Sequence, residues 1–246
     1  MLLIDIGNSR VKAGVLERGR IHLQKPCEWR TAEAGGPWHA LLGGLIRPTR
    51  MLVSNVAGNV IADTLTAWAQ ERWQMVPEFV TVQREFAGMT TRYDRPAQLG
   101  IDRWLAALAG FHLAKGAVCV IDSGTALTVD IVNAAGEHLG GLITPGLGLM
   151  TRSLTQGTAQ LSLDVVHRVD HIATNTAAAI SLGCREAVAG LIVRVAERLR
   201  HELEQEPLWV VTGGEAEMIR ELSPVALRVV PDLVLQGIAI VGAHPT

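Results

Sequence analysis

Two stretches of this 246-residue chain repeat each other at a spacing of 117 residues, with no gap between the aligned positions. Leu3-Ile4-Asp5-Ile6-Gly7-Asn8-Ser9 falls on Val120-Ile121-Asp122-Ser123-Gly124-Thr125-Ala126, and Val11, Val15 and Gly19 fall on Thr128, Val132 and Gly136. Each copy predicts a strand, a turn at Asp-x-Gly-[Asn/Thr], a second strand, a turn at the later glycine and a third strand. Copies half a chain apart imply two similar domains rather than a short-period solenoid. The boundary is expected near Lys115-Gly116, which divides the chain into residues 1–115 and 116–246.

The rest of each half agrees more loosely. Met51–Asn55 predicts a short buried strand that leads into an amphipathic helix over Val60–Trp73, packed by Trp68 and Trp73. Leu208–Val211 predicts a strand, followed by Thr212-Gly213-Gly214 and a helix from about Glu215. Further helices are expected over Ala97–Ala114 and Ala177–Glu204, the second capped by Asn175 or Thr176. Strand–turn–strand–turn–strand followed by helices, repeated once, resembles the layout of the actin-like ATPase and sugar-kinase superfamily. The fold expected on that analogy is α/β, with two similar actin-like (ribonuclease H-like) domains. Each would be a mixed sheet flanked by helices, with nucleotide in the cleft between them.

Composition removes other classes. Apolar residues at 48% and charged residues at 19% exclude a disordered chain or a coiled coil. The net charge is −2 and no Lys/Arg tract is present, so no nucleic-acid partner is expected. Apolar runs such as Ala117–Ile121 fall far short of the ~18 residues of a bilayer span, so no membrane partner is expected. Met-Leu-Leu-Ile-Asp lacks the basic start of a signal peptide. The three cysteines, Cys27, Cys119 and Cys184, have no CxxC or CxxH spacing, which suits a reducing compartment and a cytoplasmic location.

Several constellations carry chemistry. In Asp5–Lys12, Gly7 allows a positive φ and brings backbone N–H groups toward an anion. Asn8 and Ser9 add short donors, and Lys12 offers a point charge to a phosphate. Asp5, at a strand end, suits Mg²⁺ held through water. A bare hairpin turn would also use Gly-Asn, but two hairpins would not need an acid at matched positions. Gly100-Ile101-Asp102-Arg103 follows Tyr93-Asp94-Arg95-Pro96 and places Asp102 near the start of a helix, where a favourable helix-end charge is the plainer reading. Asp122-Ser123-Gly124-Thr125, with Thr128 and Asp130 on the strand that follows, could ligate a hard cation near a phosphate. Gly140–Gly146 reads as a glycine-rich connection to a helix beginning near Leu147. Thr212-Gly213-Gly214 would let a flat ring lie against the backbone. His167 and His171 have i, i+4 spacing, but the alternation of Val165–Asp170 argues against a helical metal pair.

In order along nearly the whole chain, these motifs resemble the type III pantothenate kinase family. The set runs from Asp5–Lys12 through Tyr93 and Leu99–Arg103, Asp122–Thr125, Gly140–Gly146, Asn175-Thr176, Thr212–Gly214 and Pro231–Leu235. Ile172-Ala173-Thr174 departs from the pattern. The resemblance implies ATP-dependent phosphorylation of pantothenate to 4′-phosphopantothenate, by a homodimer that uses Mg²⁺ and a monovalent cation, K⁺ or NH₄⁺. It implies that Asp5, Ile6, Gly7, Asn8, Ser9, Arg10, Val11, Lys12 and Thr125 bind ATP. Tyr93, Gly100, Ile101, Asp102, Arg103 and Thr176 would hold pantothenate, with Thr176 acting in its own subunit or across the dimer. Asp102 would be the general base, Asp122 the monovalent-cation ligand and Asp5 the Mg²⁺ ligand. Arg103 could pair with the pantothenate carboxylate or orient Asp102. Another small-molecule kinase of the same fold, or a non-catalytic nucleotide-binding regulator, are the alternatives.

Overall fold

The protein is described by a computed structural model, covering residues 1–29, 36–155 and 171–244. The first half forms β1 (Leu2–Ile6), β2 (Arg10–Glu17), β3 (Arg20–Leu23), β4 (Cys27–Glu28), α1 (Trp38–Leu42), β5 (Met51–Asn55), α2 (Asn59–Trp73) and β6 (Glu78–Phe79). It continues through β7 (Glu85–Phe86), β8 (Met89–Thr91), a 3₁₀ turn (Pro96–Gln98) and α3 (Ile101–Ala114). The second half forms β9 (Val118–Ser123), β10 (Ala126–Val132), β11 (Glu137–Pro145), α4 (Leu147–Thr155) and α5 (Thr176–Glu202). It ends in β12 (Leu208–Gly213), α6 (Ala216–Leu222), β13 (Arg228–Val229) and α7 (Leu233–Ala243).

The strands make two mixed sheets, one ordered β3-β2-β1-β5-β6 with β4 beside β2, the other β13-β12-β9-β10-β11-β8-β7. Within each copy the hairpin strands are antiparallel, and the strands that follow the crossovers, β5 and β12, run parallel to β1 and β9. The two copies therefore share one topology. β7 and β8, which precede Lys115, extend the second sheet, whereas α7, from the far end of the chain, packs against β1, β2 and β5 of the first.

Between the sheets lie α3 and α7, in mutual contact. Each is apolar nearly all round, the composition of a helix enclosed by protein. Gly237 makes the close crossing possible, because a Cβ there would sit 2.3 Å from the Leu105 carbonyl oxygen. Period-two alternation divides each strand between two cores. Leu2, Ile4 and Ile6 face outward, toward α1 and α2, while Leu3 faces the helices between the sheets. Likewise Cys119 and Ile121 face α5, and Val118 and Val120 face inward. Asp5 and Asp122, each the next inward residue, are thereby aimed at the space between the sheets.

The helix expected over Ala97–Ala114 is split. Pro96 starts a 3₁₀ turn, Leu99 is extended, and α3 begins only after Gly100. Asn175 caps α5 as anticipated, its side chain accepting the Ala178 N–H at 2.9 Å. Among the described helices α5 is long and apolar enough to cross a membrane by composition, but its Cys184, Val188, Ile192, Val195 and Leu199 stripe packs into the core beside β9 and β10. Trp68 and Trp73 meet edge to face on α2, with ring centroids 4.7 Å apart.

Candidate active site

At the inward ends of the central strands the two Asp-x-Gly turns face each other, and Ser9 Oγ lies 2.8 Å from Thr125 Oγ1. Lys12 is the register partner of Asp5 across β1/β2, so strand pairing alone puts cation beside carboxylate. Lys12 Nζ donates to the Pro231 carbonyl at 3.3 Å, just ahead of α7. The Asp5 carboxyl is pushed up to about 7, first by burial, then by the charge of Asp102, with Asp122 adding; Lys12 pulls it down. Burial, together with Asp102 and Asp130, raises Asp122 to about 6 against the pull of Lys12. Three carboxylates from β1, α3 and β9 therefore share one poorly solvated space with one half-buried lysine.

The duplication reaches further than the sequence match. Asp5 is paired in register with Ser54 of β5, and Asp122 with Thr212 of β12. Asp5 Oδ1, Ser54 Oγ and Thr212 Oγ1 are all buried and make no hydrogen bond of ordinary geometry among the described residues, although Ser54 is near enough to Asp5 to draw its carboxyl down. Buried polar atoms are rarely left so, and orphaned oxygens beside carboxylates suit hydrated cations. No three His, Cys, Asp or Glu side chains among the described residues form a metal-holding group by themselves.

Asp102 lies in the first turn of α3, where Oδ1 accepts the Arg103 backbone N–H at 2.8 Å. Burial raises its carboxyl above the ordinary range, the Arg103 N–H opposes that, and the charge of Asp130 adds to it. The Arg103 guanidinium makes its hydrogen bonds to Asp130 and Tyr93 rather than to Asp102. Its Nε and Nη2 donate to Asp130 Oδ2 and Oδ1 at 2.9 and 2.7 Å, and Nη1 donates to Tyr93 Oη at 3.0 Å. One guanidinium edge is thus taken by the protein's own carboxylate. Of the five N–H groups of an arginine, two make no hydrogen bond among the described residues. Ile6, Val11 and Ile101 send their side chains into hydrophobic cores, so only their backbone could meet a ligand.

Some expectations change. Gly7 has no positive φ, and its N–H closes the turn onto Arg10 O at 3.0 Å, so that amide is used within the turn. Gly140 and Gly141 lie inside β11 rather than in a loop, because Glu137–Pro145 pairs along β10 before α4 starts. Arg10 pairs with Glu28 at 3.2 Å at the surface. Thr176 opens α5 and lines a groove with Met150, Ile180 and Ala187; no hydrogen bond links it to Tyr93, Asp102 or Arg103 among the described residues. His167 lies outside the described residues.

Sequence reasoning passed over Ser54, His138, Glu215 and Trp29 as site residues, and it offered Asp130 as a cation ligand, whereas that carboxylate is taken by Arg103 and His138. Trp29 Nε1 donates to Gly7 O at 2.8 Å and props the first turn. Glu215 accepts from Ser123 Oγ at 3.0 Å and from Gly148 N at 3.2 Å, tying the second turn to the start of α4. Only the strand-end position shared by Ser54 and Thr212 was available as a signal.

A model of the type III pantothenate kinase family matches residues 1–198. The chain belongs to the type III pantothenate kinase family. It is 35% identical to a type III pantothenate kinase of Nitrosococcus oceani, over 97% of this chain and 92% of that one. It is 38% identical to one from Azoarcus sp. (strain BH72), over 100% and 95%. Among solved structures it is similar to a Campylobacter jejuni protein described as a Baf family transcriptional activator, with a TM-score of 0.60 at 21% identity over 99% and 98% of the two chains. It is also similar to the ADPNP-bound activator of 2-hydroxyisocaproyl-CoA dehydratase from Clostridium difficile, with a TM-score of 0.52 at 12% identity over 98% and 92%. Those likenesses show the actin-like ATPase fold. The activity of the kinase family is ATP-dependent phosphorylation of pantothenate to 4′-phosphopantothenate in coenzyme A biosynthesis, with ATP as phosphoryl donor.

Proposed function

We propose that the Asp5–Asp102–Asp122 space is where the pantothenate primary hydroxyl meets the γ-phosphate of ATP, with Asp102 as general base. The observation that carries this reading is the convergence of three carboxylates from separate elements on one buried volume beside Lys12. Phosphoryl transfer depends on alignment and charge neutralisation more than on covalent help from the protein. Ser9, Thr125 and Lys12 would hold the phosphates, with Asn8 and Arg10 at the rim. Asp5 would hold Mg²⁺ through water, and Asp122 a monovalent cation such as K⁺ or NH₄⁺. These ions supply neutralisation of phosphate-oxygen charge when bound. The raised carboxyl of Asp102 makes it a stronger proton acceptor than an ordinary aspartate, a contribution of typically ~10²–10⁴-fold.

Tyr93, Gly100, Ile101, Asp102 and Arg103 would seat pantothenate, the two uncommitted Arg103 N–H groups facing its carboxylate. We place Thr176 in the same pocket of a homodimer. Support comes from the apolar groove of about 540 Å³ between α4 and α5, which Thr176 borders and where Ala179, Gly183 and Ala187 are exposed. We place the reaction in the cytoplasm, where MgATP is supplied.

The deciding experiment is ADP release from MgATP and pantothenate, with and without K⁺, for wild type and Asp102→Asn. The expected outcome is K⁺-dependent turnover that falls ~10²–10⁴-fold in the variant, with ATP binding retained. An Asp102→Asn enzyme with wild-type kcat would remove Asp102 from the role of base.

A further inference from the structure

Behind the proposed pantothenate pocket lies a closed circuit of side chains from α3, β10, β11 and the segment that follows β8. His138 is fully buried, and its Nε2 lies 2.8 Å from Asp130 Oδ1 while Nδ1 lies 3.1 Å from Thr91 Oγ1. Asp130 takes the two-pronged contact from Arg103, Arg103 donates to Tyr93 Oη, and the Tyr93 ring returns to stack on His138, with centroids 5.9 Å apart and planes 19° from parallel. The hydrogen positions can be assigned from the partners. Asp130 as a carboxylate only accepts, so the proton between it and His138 sits on Nε2. Nδ1 is left to pair with the Thr91 hydroxyl, which also accepts the Tyr93 N–H at 3.3 Å. Because Tyr93 Oη accepts from Arg103, its own O–H is not the donor of that bond and can serve a second acceptor.

We infer that His138 is a positioning residue for pantothenate. It holds Asp130 in the orientation that commits one edge of Arg103, and so fixes which Arg103 N–H groups and which Tyr93 O–H face the substrate. His138 itself touches no substrate and acts through Asp130, Arg103 and Tyr93. No hydrogen bond among the described residues joins the circuit to the Ser9–Thr125 pair, and only the charge of Asp130 reaches Asp122, so its influence should fall first on pantothenate rather than on ATP. The inference rests on the reading that Tyr93 and Arg103 bind pantothenate.

The test measures kcat and the KM values for pantothenate and MgATP in the full-length protein for His138→Leu, His138→Gln, Tyr93→Phe and the His138→Leu/Tyr93→Phe double variant, with Tm for each. Glutamine keeps one donor and one acceptor on a comparable reach, whereas leucine keeps only bulk. We expect His138→Leu to raise pantothenate KM about tenfold, the scale on which small misplacements of a binding group act. MgATP KM should stay within about twofold, and His138→Gln should recover most of the loss. The double variant should fall short of the sum of the two single losses, because part of the His138 effect passes through the Tyr93 hydroxyl, and full additivity would overturn the inference.

If Tyr93→Phe raises pantothenate KM and a folded His138→Leu does not, the inference is overturned while the pocket assignment stands. An equal rise in both KM values, or a loss of Tm without selective change, also overturns it in favour of a purely structural histidine. If Tyr93→Phe leaves pantothenate KM unchanged, the pocket assignment fails and takes the inference with it. Should His138→Leu not fold, His138→Phe keeps a ring to stack on Tyr93 and removes both ring nitrogens. A pantothenate KM raised about threefold would then uphold the inference, and an unchanged one would overturn it.

Discussion

Asp5 is a costly residue to keep ionised, since it is buried beside two other carboxylates and its upward shift to about 7 is caused first by burial. A native carboxyl raised above its unfolded value of 3.8 binds its proton more readily in the folded state. Its stabilising effect is therefore complete below about pH 4 and is lost as pH rises through about 7. Asp122 adds the same sign, with its window ending near 6. Ligand-free protein is expected to lose Tm between pH 5 and pH 8 from these groups. Asp5→Asn should recover stability at pH 8 but not at pH 5 while abolishing turnover, with each kcal/mol worth ~2–4 °C. Thermal scans at the two pH values check this; an Asp5→Asn gain equal at both would refute it. A second residue-scale consequence concerns Arg103. Removing it leaves Asp130 buried and uncompensated beside His138, so Arg103→Ala should cost ~3–5 kcal/mol of stability in denaturant titration as well as weakening pantothenate binding. A loss below about 1 kcal/mol would mean that the pair is solvated.

At the scale of elements, the site depends on how α3 and α7 cross. Asp102 rides on the first turn of α3, and the Pro231 carbonyl that receives Lys12 lies just before α7. A valine at Gly237 would bring its Cβ to 2.3 Å from the Leu105 carbonyl oxygen and 2.9 Å from Leu105 Cβ. Backbone cannot yield there as a flexible side chain would. Gly237→Val is expected to cost ~1–3 kcal/mol or more, seen in Tm, and to lower kcat by separating Asp102 from the Asp5–Asp122 pair. Gly183→Ala is the comparison, since a Cβ at that exposed position meets nothing within 4 Å; its monomer packing should be unaffected. Equal Tm loss in both variants would show that the crossing is not the cause.

The whole molecule repeats one sheet topology twice and lets the two central helices hold the copies together. α5 buries one stripe and leaves Ala179, Gly183, Ala187 and Gly190 exposed on another, which is where the homodimer contact is proposed. Ile180→Glu in the groove should convert the protein to monomer in sedimentation velocity. It should also raise pantothenate KM if Thr176 serves across the interface. A monomeric variant with unchanged pantothenate KM would confine Thr176 to its own subunit or to no role.

The duplicated hairpins were legible in the residues because alternation and Asp-x-Gly turns are local signals, and a strict period of two decides which face of a strand an acid occupies. That was enough to aim Asp5 and Asp122 the same way, to put Asp102 near a helix start and to place Asn175 at a cap. Other features were settled only by the tertiary structure. Asp130 meets Arg103 across 27 positions of chain, and Glu215 meets Ser123 across 92. Ser54 and Thr212 stand beside the two acids only through parallel pairing with β1 and β9. No short window of sequence encodes such pairings, because they follow from how separately formed sheets and helices pack. The raised carboxyls belong to the same class: an aspartate is written in the chain, but the burial that makes it a base exists only once the two sheets close on α3 and α7.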